Sequence, residues 1–441
     1  MGAYRAVWHK IAALLLVSIF VFVSACSSKN AGGGDTAQQP EQGQTTYKMK
    51  TDPVTLTFYN AGNINSYYEE YIAKHIRAKL PHISINYIRQ AGDVTLTNTI
   101  AQGILPDIIY MVSPNINAYK ELSVLGELDS LIKSHHIDMS RLLDGLEDSI
   151  RVYGDRGELL YMPWGLSNWA LYYNKDLFDR FAVPYPKDGM TWDDVYPLAR
   201  QLTRSENGVN YRGFDFDPGY PIRANQLSLP FVDPKTHKAV VNTDGWKRLF
   251  ETLGQVYRIP GNEPGSPSDF HKGTVAMIAG ATQFPQIIER INNKEQVNVD
   301  IVSFPTFPEK PKTSMQTVTA GFAIPAQSKY RDQAMDIIEL MLSDEVQKEG
   351  AEILRLPVIK NKEVYQTMGQ AYPELKGMNV GALTYNNNAV TKSVTKYDDI
   401  AQSVLISKFN QYKKGTADVN TILREAEEEI NKKIEERKKL E

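Results

Sequence analysis

Val54-Thr55-Leu56-Thr57-Phe58-Tyr59 alternates apolar and polar side chains, the period of a half-buried strand. Ser66-Tyr67-Tyr68-Glu69 then offers the spacing of a capping box, and Ile72, Ile76 and Leu80 recur at helical intervals until Pro81 ends the run. Ile83, Ile85 and Tyr87 alternate again. A second helix is predicted over residues 95–103, and Asp107-Ile108-Ile109-Tyr110-Met111 reads as a third, mostly apolar strand. Strand, helix, strand, helix, strand at this spacing predicts a parallel sheet with right-handed crossovers. Ligands of such sheets sit against the loops that leave the strands' carboxyl ends, here residues 60–65 and 112–117.

A second α/β unit follows. Residues 169–173 predict a strand, Asn174 a helix cap and residues 177–181 a short helix. Thr191-Trp192-Asp193-Asp194 is another capping box, ahead of Val195, Leu198, Ala199 and Leu202 at helical spacing. Further on come a strand over 297–302, the run Gly321-Phe322-Ala323-Ile324-Pro325, a helix over 334–341 and a charged helix over 419–439. In that last helix Glu and Lys recur at supporting intervals, so it reads as a structural, solvated face.

The amino terminus has a different pattern. Arg5 and Lys10 precede an apolar run over residues 11–23, broken only by Ser18, and Ser24-Ala25-Cys26 follows. A charged start, a short apolar run and small residues predict a secretory signal peptide over residues 1–25. The run is shorter than the roughly 20 residues that span a bilayer. Residues 27–46 are polar and rich in Gly and Gln, a disordered tether with a reach on the order of 25 Å. Cys26 is the only cysteine, so no internal disulfide exists. Beyond residue 25 the chain carries 47 Lys+Arg against 52 Asp+Glu, a net charge of −5 that suits no nucleic-acid backbone. The remaining length exceeds what one hydrophobic core supports, and two domains are expected.

Enzyme signatures do not hold. Ser130-Leu131-Ile132-Lys133 and Ser393-Val394-Thr395-Lys396 fit S-x-x-K, but neither has a K-T-G partner. The chain contains no G-x-S-x-G, no Walker loop and no H-E-x-x-H. His135 and His136 follow a helix that reads as exposed and point in different directions, so metal ligation is not expected. No cofactor is implied. The predicted loops instead supply Tyr59, Asn60, Asn63, Asn65, Tyr67, Ser113, Asn115, Trp164, Asn168, Asp217 and Tyr220. A sugar ring has apolar C–H faces and a rim of hydroxyls, and this mixture of aromatic faces with amides and hydroxyls suits it. No loop gathers the cations that a phosphate or a dicarboxylate would need.

Several longer stretches carry a resemblance: "GILPDIIYM" (103–111), "LGELDSLIK" (125–133), "YMPWGLSNWALYYNKDLF" with "TWDD" behind it, "FHKGTVAMIAGATQF" (270–284) and "GFAIPAQSKYRDQAMDIIELMLSDEVQ" (321–347). In this order they resemble bacterial extracellular solute-binding proteins, family 1, the sugar-importer type. The resemblance implies an α/β, two-lobed periplasmic-binding-protein-like II (venus flytrap) fold with a hinge. It implies a carbohydrate, expected to be an oligosaccharide, held in the cleft and delivered to an ABC-transporter permease. The lobes would hold residues 52–164 plus 320–380, and 165–319 plus 381–441. Hinge strands would cross near Trp164 and Ala320. Many relatives place a tryptophan after the glycine equivalent to Gly280, where Ala281-Thr282-Gln283-Phe284 stands here. Either Phe284, or Thr282 and Gln283, would then face the ligand, and Arg355 would reach the cleft from the first lobe. The segment around Cys26 also looks like a bacterial lipoprotein signal. That implies a diacylated Cys26 anchoring a monomer, through a tether over 26–51, to the outer face of a Gram-positive cell membrane. Two other readings remain: a surface glycan-degrading enzyme with Asp215 and Asp217 as its nearest carboxylates, and a binding protein for a peptide or other non-sugar solute.

Overall fold

The structure, a computed structural model, describes residues 47–62 and 68–440. Cys26, Asn63, Asn65, Ser66 and Tyr67 lie outside the described residues, as does the whole of the predicted signal peptide. Among the described residues no helix is long and apolar enough to cross a membrane.

The alternating runs form strands β1 (Val54–Asn60), β2 (Ile83–Arg89) and β3 (Ile108–Val112), with β1 parallel to both others. Two later strands join them, β4 (Met162–Leu166) and β12 (Thr319–Ala323), to give the order β2-β1-β3-β12-β4. Strand β12 runs antiparallel to both neighbours and shifts register between Ala320 and Gly321. A Cβ at Gly321 would lie 2.1 Å from the Met162 carbonyl oxygen, so only glycine lets the two strands approach here.

The second sheet has the order β10-β5-β9-β8: β5 (Ala170–Asn174), β8 (Asp215–Phe216), β9 (Met277–Gly280) and β10 (Val299–Ser303). Only the β8–β9 pair is parallel; β5 is antiparallel to both β9 and β10. Two small ribbons complete the strands, β6 (Arg204–Glu206) with β7 (Val209–Tyr211), and β11 (Thr313–Gln316) with β13 (Asn387–Ala389).

Local capping follows the sequence signals. Thr95 accepts from the Asn98 N–H and starts the helix Leu96–Ala101, while Asn174 accepts from the Leu177 N–H and starts Lys175–Arg180. Thr191 and Asp194 form the complete reciprocal box of the helix Trp192–Leu202. Two apolar clusters fill the interior. One is built around Leu56, Phe58, Ile108, Phe322 and Ile337 and takes in Tyr172, Ile278 and Ile301 from one face of the second sheet; the other is built around Trp192, Trp246, Phe250, Phe409 and Ile430 on that sheet's opposite face. The charged carboxyl-terminal helix Val419–Lys438 is solvated on one side only, because Ile422, Ala426, Ile430 and Ile434 recur every four residues and enter the second cluster.

One sequence expectation is corrected here. His135 is not on an exposed surface: its side chain is 1 % exposed. Tyr47 stacks on it with ring centroids 3.9 Å apart and donates its hydroxyl to Asp336, while Asp332 lies 3.5 Å from the imidazole. No local pattern signals this, because the covering ring comes from Tyr47, 88 positions away along the chain.

Candidate ligand-binding site

Strands β4 and β12 lead from the first sheet toward the second, and cavities open on both of their faces. Side-chain alternation assigns the walls. Tyr110 and Val112 of β3 point to one face, together with Trp164 and Ala320. Ser113 points to the other, where Tyr161 meets Thr319.

The first cavity, about 450 Å³, gathers the exit of β4 (Gly165 to Asn168), Ala281 and Thr282 after β9, Phe284 at the head of the helix Phe284–Asn292, and Leu354, Arg355 and Tyr372. Its floor is aromatic. Trp164 meets Tyr110 edge-on at 5.9 Å and Phe322 at 5.5 Å. Trp164 is not an open platform, however: it is 1 % exposed, and the Arg355 guanidinium lies 3.7 Å from its ring centroid. A cation on an indole face in so enclosed a place is worth about 2 kcal/mol. Arg355 is held there by donating to the backbone carbonyls of Trp164 and Val346. Two glycines leave room for it. A Cβ at Gly350 would sit 1.8 Å from an Arg355 nitrogen, and one at Gly165 3.0 Å from its Cγ. Asn168 donates to the Leu354 carbonyl, which fixes the exit of β4 against the same segment.

Phe284 lies on this cavity, almost fully buried and edge-on to Tyr172. Gln283 turns away, its amide oxygen 2.9 Å from His271 Nε2 and its amide nitrogen donating to Ala281 O. Burial of the His271 imidazole lowers its pKa. Thr282 remains exposed on the rim and caps the Phe284 N–H. Of the two arrangements open in the sequence, Thr282 and Phe284 line the wall together and Gln283 does not.

The second cavity, about 360 Å³, is lined by Ser113, Asn115, Tyr153, Arg223, Gln316 and Asp398, with Glu121, Lys396 and Arg437 at its margins. Ser113 is buried and accepts from the Thr319 N–H. Burial raises the Asp398 pKa to about 6 against the opposing hydrogen bonds from Thr395. Arg437 donates to Glu121 and Asn117 to Thr395 O across this crevice.

Other sequence candidates are placed elsewhere. Tyr59 is fully buried, with its hydroxyl 3.1 Å from Gln90 Oε1 and 3.2 Å from Val94 O. Asn60 is equally buried, donating to Tyr87 and accepting from the Gly62 N–H. Asp217 accepts from the Gly219 N–H, and Tyr220 stands exposed, edge-on to Trp169. Asp215 is locked to Arg212 at the margin of the second sheet; burial raises its pKa, which Arg212 opposes. Neither Asp215 nor Asp217 lines either cavity, so they do not form the facing carboxylate pair that glycoside hydrolysis needs. Tyr110 and Tyr372 were missed by sequence reasoning. Tyr110 sits inside an apolar strand and Tyr372 in a loop between short helices, and neither carries a local polar signal.

Residues 72–380 match the model of the bacterial extracellular solute-binding protein family, and the chain belongs to that family. It is a family of binding proteins, not of enzymes. No curated protein sequence matches the chain. Among solved structures, it resembles the ABC substrate-binding protein Lmo0181 from Listeria monocytogenes in complex with cycloalternan, with a TM-score of 0.67 and 22% identity over 87% of this chain and 99% of that one. It also resembles the sugar-binding protein MalE from Xanthomonas citri, with a TM-score of 0.71 and 16% identity over 88% and 99%. A third likeness is to the cyclic alpha-maltosyl-1,6-maltose binding protein from Arthrobacter globiformis, with a TM-score of 0.68 and 16% identity over 87% and 99%. The fold is thus the two-lobed one of sugar-binding proteins.

Proposed function

We propose that this protein captures a carbohydrate in the cavity floored by Trp164 and hands it to an ABC importer. The observation that carries the reading is the wall itself: Tyr110, Phe284 and Tyr372 supply apolar ring surface beside the stacked Trp164–Arg355 pair, and Ser167, Asn168, Thr282 and Arg355 supply hydrogen-bonding groups around them. That is the chemistry a pyranose asks for. Family membership supports it, as do similar structures solved with cycloalternan, mannotriose and D-mannitol bound. The ligand-contact set is then Trp164, Asn168, Thr282, Phe284 and Arg355, with Tyr110 and Tyr372 added. Tyr59 and Asn60 serve as the internal frame of the first lobe.

The lobes in this reading comprise residues 52–164 plus 320–380 and residues 165–319 plus 381–441. Strands β4 and β12 are the hinge between them. Ligand binding favours the closed arrangement only as far as it binds that arrangement more tightly, a factor of about 10⁴ for near-complete closure from a mostly open state. The amino-terminal signal and Cys26 fit a lipid-anchored monomer on the outer face of a Gram-positive membrane, with the permease as partner. Mass spectrometry of the mature protein tests the anchor: diacylated Cys26 supports it, and an unmodified amino terminus rejects it. Calorimetric titration with mono- and oligosaccharides tests the main reading. Saturable binding without product supports capture, while turnover, or no binding at millimolar sugar, overturns it.

A further inference from the structure

The groups around the Trp164 cavity are unbalanced in a way that a neutral sugar does not require. Sugar hydroxyls both donate and accept, and a site for neutral sugars commonly offers carboxylates to receive the donated protons. Among the described residues lining this cavity there is no Asp and no Glu, whereas Arg355 supplies a full positive charge. Donors dominate. Trp164 lines the cavity with its Nε1–H buried and without a hydrogen-bond partner. Phe284 and Pro285 open the helix Phe284–Asn292 at the same wall, and the positive end of its dipole adds to the potential there.

The position of Arg355 is also built rather than incidental. Gly350 and Gly165 leave it space on two sides, two backbone carbonyls orient it, and an indole face lies beneath it. A planar guanidinium so fixed matches a carboxylate in shape as well as in charge. One such cation, with no cluster around it, suits a singly charged group on an otherwise hydroxylated ligand. It does not suit a phosphate, which would want several cations.

We propose that the solute is an acidic saccharide, an oligosaccharide containing a hexuronate whose carboxylate lies against Arg355. The proposal rests on the reading of this cavity as the sugar site and narrows its substrate class.

The test is calorimetric titration of the full chain with matched pairs: digalacturonate against the neutral galactobiose of the same linkage, and cellobiouronate against cellobiose. Succinate serves as a carboxylate without a sugar. The acidic member of at least one pair should bind about tenfold or more tightly than its neutral partner, and the preference should shrink as salt rises. Arg355→Gln should bring the acidic member's dissociation constant to within about threefold of its neutral partner's, whatever it does to both, and Arg355→Lys should restore part of the difference. If Arg355→Gln does not fold, the salt dependence and the Lys variant decide. Equal or tighter binding of the neutral members overturns the acidic assignment and leaves the sugar reading intact. Binding of succinate alone, or of none of these compounds, overturns both.

Discussion

The two cavities beside strands β4 and β12 differ in their chemistry. On one face, Trp164, Tyr110 and Phe284 form an apolar surface with a single cation and no acid. On the other, Arg223, Lys396, Asp398 and Asp399 crowd around few aromatic rings, and Arg437–Glu121 and Asn117–Thr395 tie the two sides together. Hydrogen bonds and ion pairs formed between parts of the protein hold shape; an aromatic wall with polar groups left facing inward invites a ligand. The lesson is that charge density alone does not mark a binding site, because charges already paired within the chain have less to offer a solute.

Four changes would break or sharpen that contrast. Trp164→Ala removes the floor of the first cavity. It should cost about 3 to 5 kcal/mol of stability in chemical denaturation, since the ring is fully buried, and about 1 to 3 kcal/mol of sugar affinity by calorimetry. Lost stability with unchanged affinity would make Trp164 core alone. Gly350→Ala forces Arg355 off its seat at a cost of about 1 to 3 kcal/mol, and the ligand should weaken about tenfold with it. An unaltered dissociation constant would mean that Arg355 does not need its place for binding.

Asp398→Asn bears on the second cavity through pH. The folded pKa of Asp398, about 6, lies above the usual carboxylate value, so the folded state holds the proton more firmly than the unfolded one. The contribution is fully present below about pH 4 and is lost as pH rises through 6. Melting temperatures measured from pH 4 to 7 should therefore fall more steeply in the native protein than in Asp398→Asn, and parallel curves would disprove the assignment. The smallest effect is expected for Glu121→Ala. It removes a half-exposed ion pair worth about 1 kcal/mol or less and should leave sugar affinity alone. A large loss of affinity there would move the ligand to the charged face.

Much of the fold was legible along the chain because strands, caps and crossovers are written locally. Period-two runs became β1 and β2, Thr191-Trp192-Asp193-Asp194 became a closed capping box, and the spacing of the first three strands gave their parallel order. The site was legible only in part. The segment from Trp164 to Asn168, Phe284 and Arg355 came together on one cavity, yet Ser113 and Asn115 went to the opposite face and Tyr59 and Asn60 into the interior. Adjacent residues of a strand point to opposite sides, so one position decides between a cleft and a core. Proximity to a strand end does not resolve that.

By itself, then, the sequence determined the class of fold, the two α/β units and the aromatic and amide-rich character of the loops. Tertiary structure decided which of those side chains share a cavity. It turned Gln283 toward His271 and away from the wall, laid Tyr47 over His135, and set Arg355 on the face of Trp164, 191 positions earlier in the chain. The reason is physical. Capping and periodicity act over a few residues, whereas a binding wall is assembled from segments whose meeting depends on how whole sheets and helices pack.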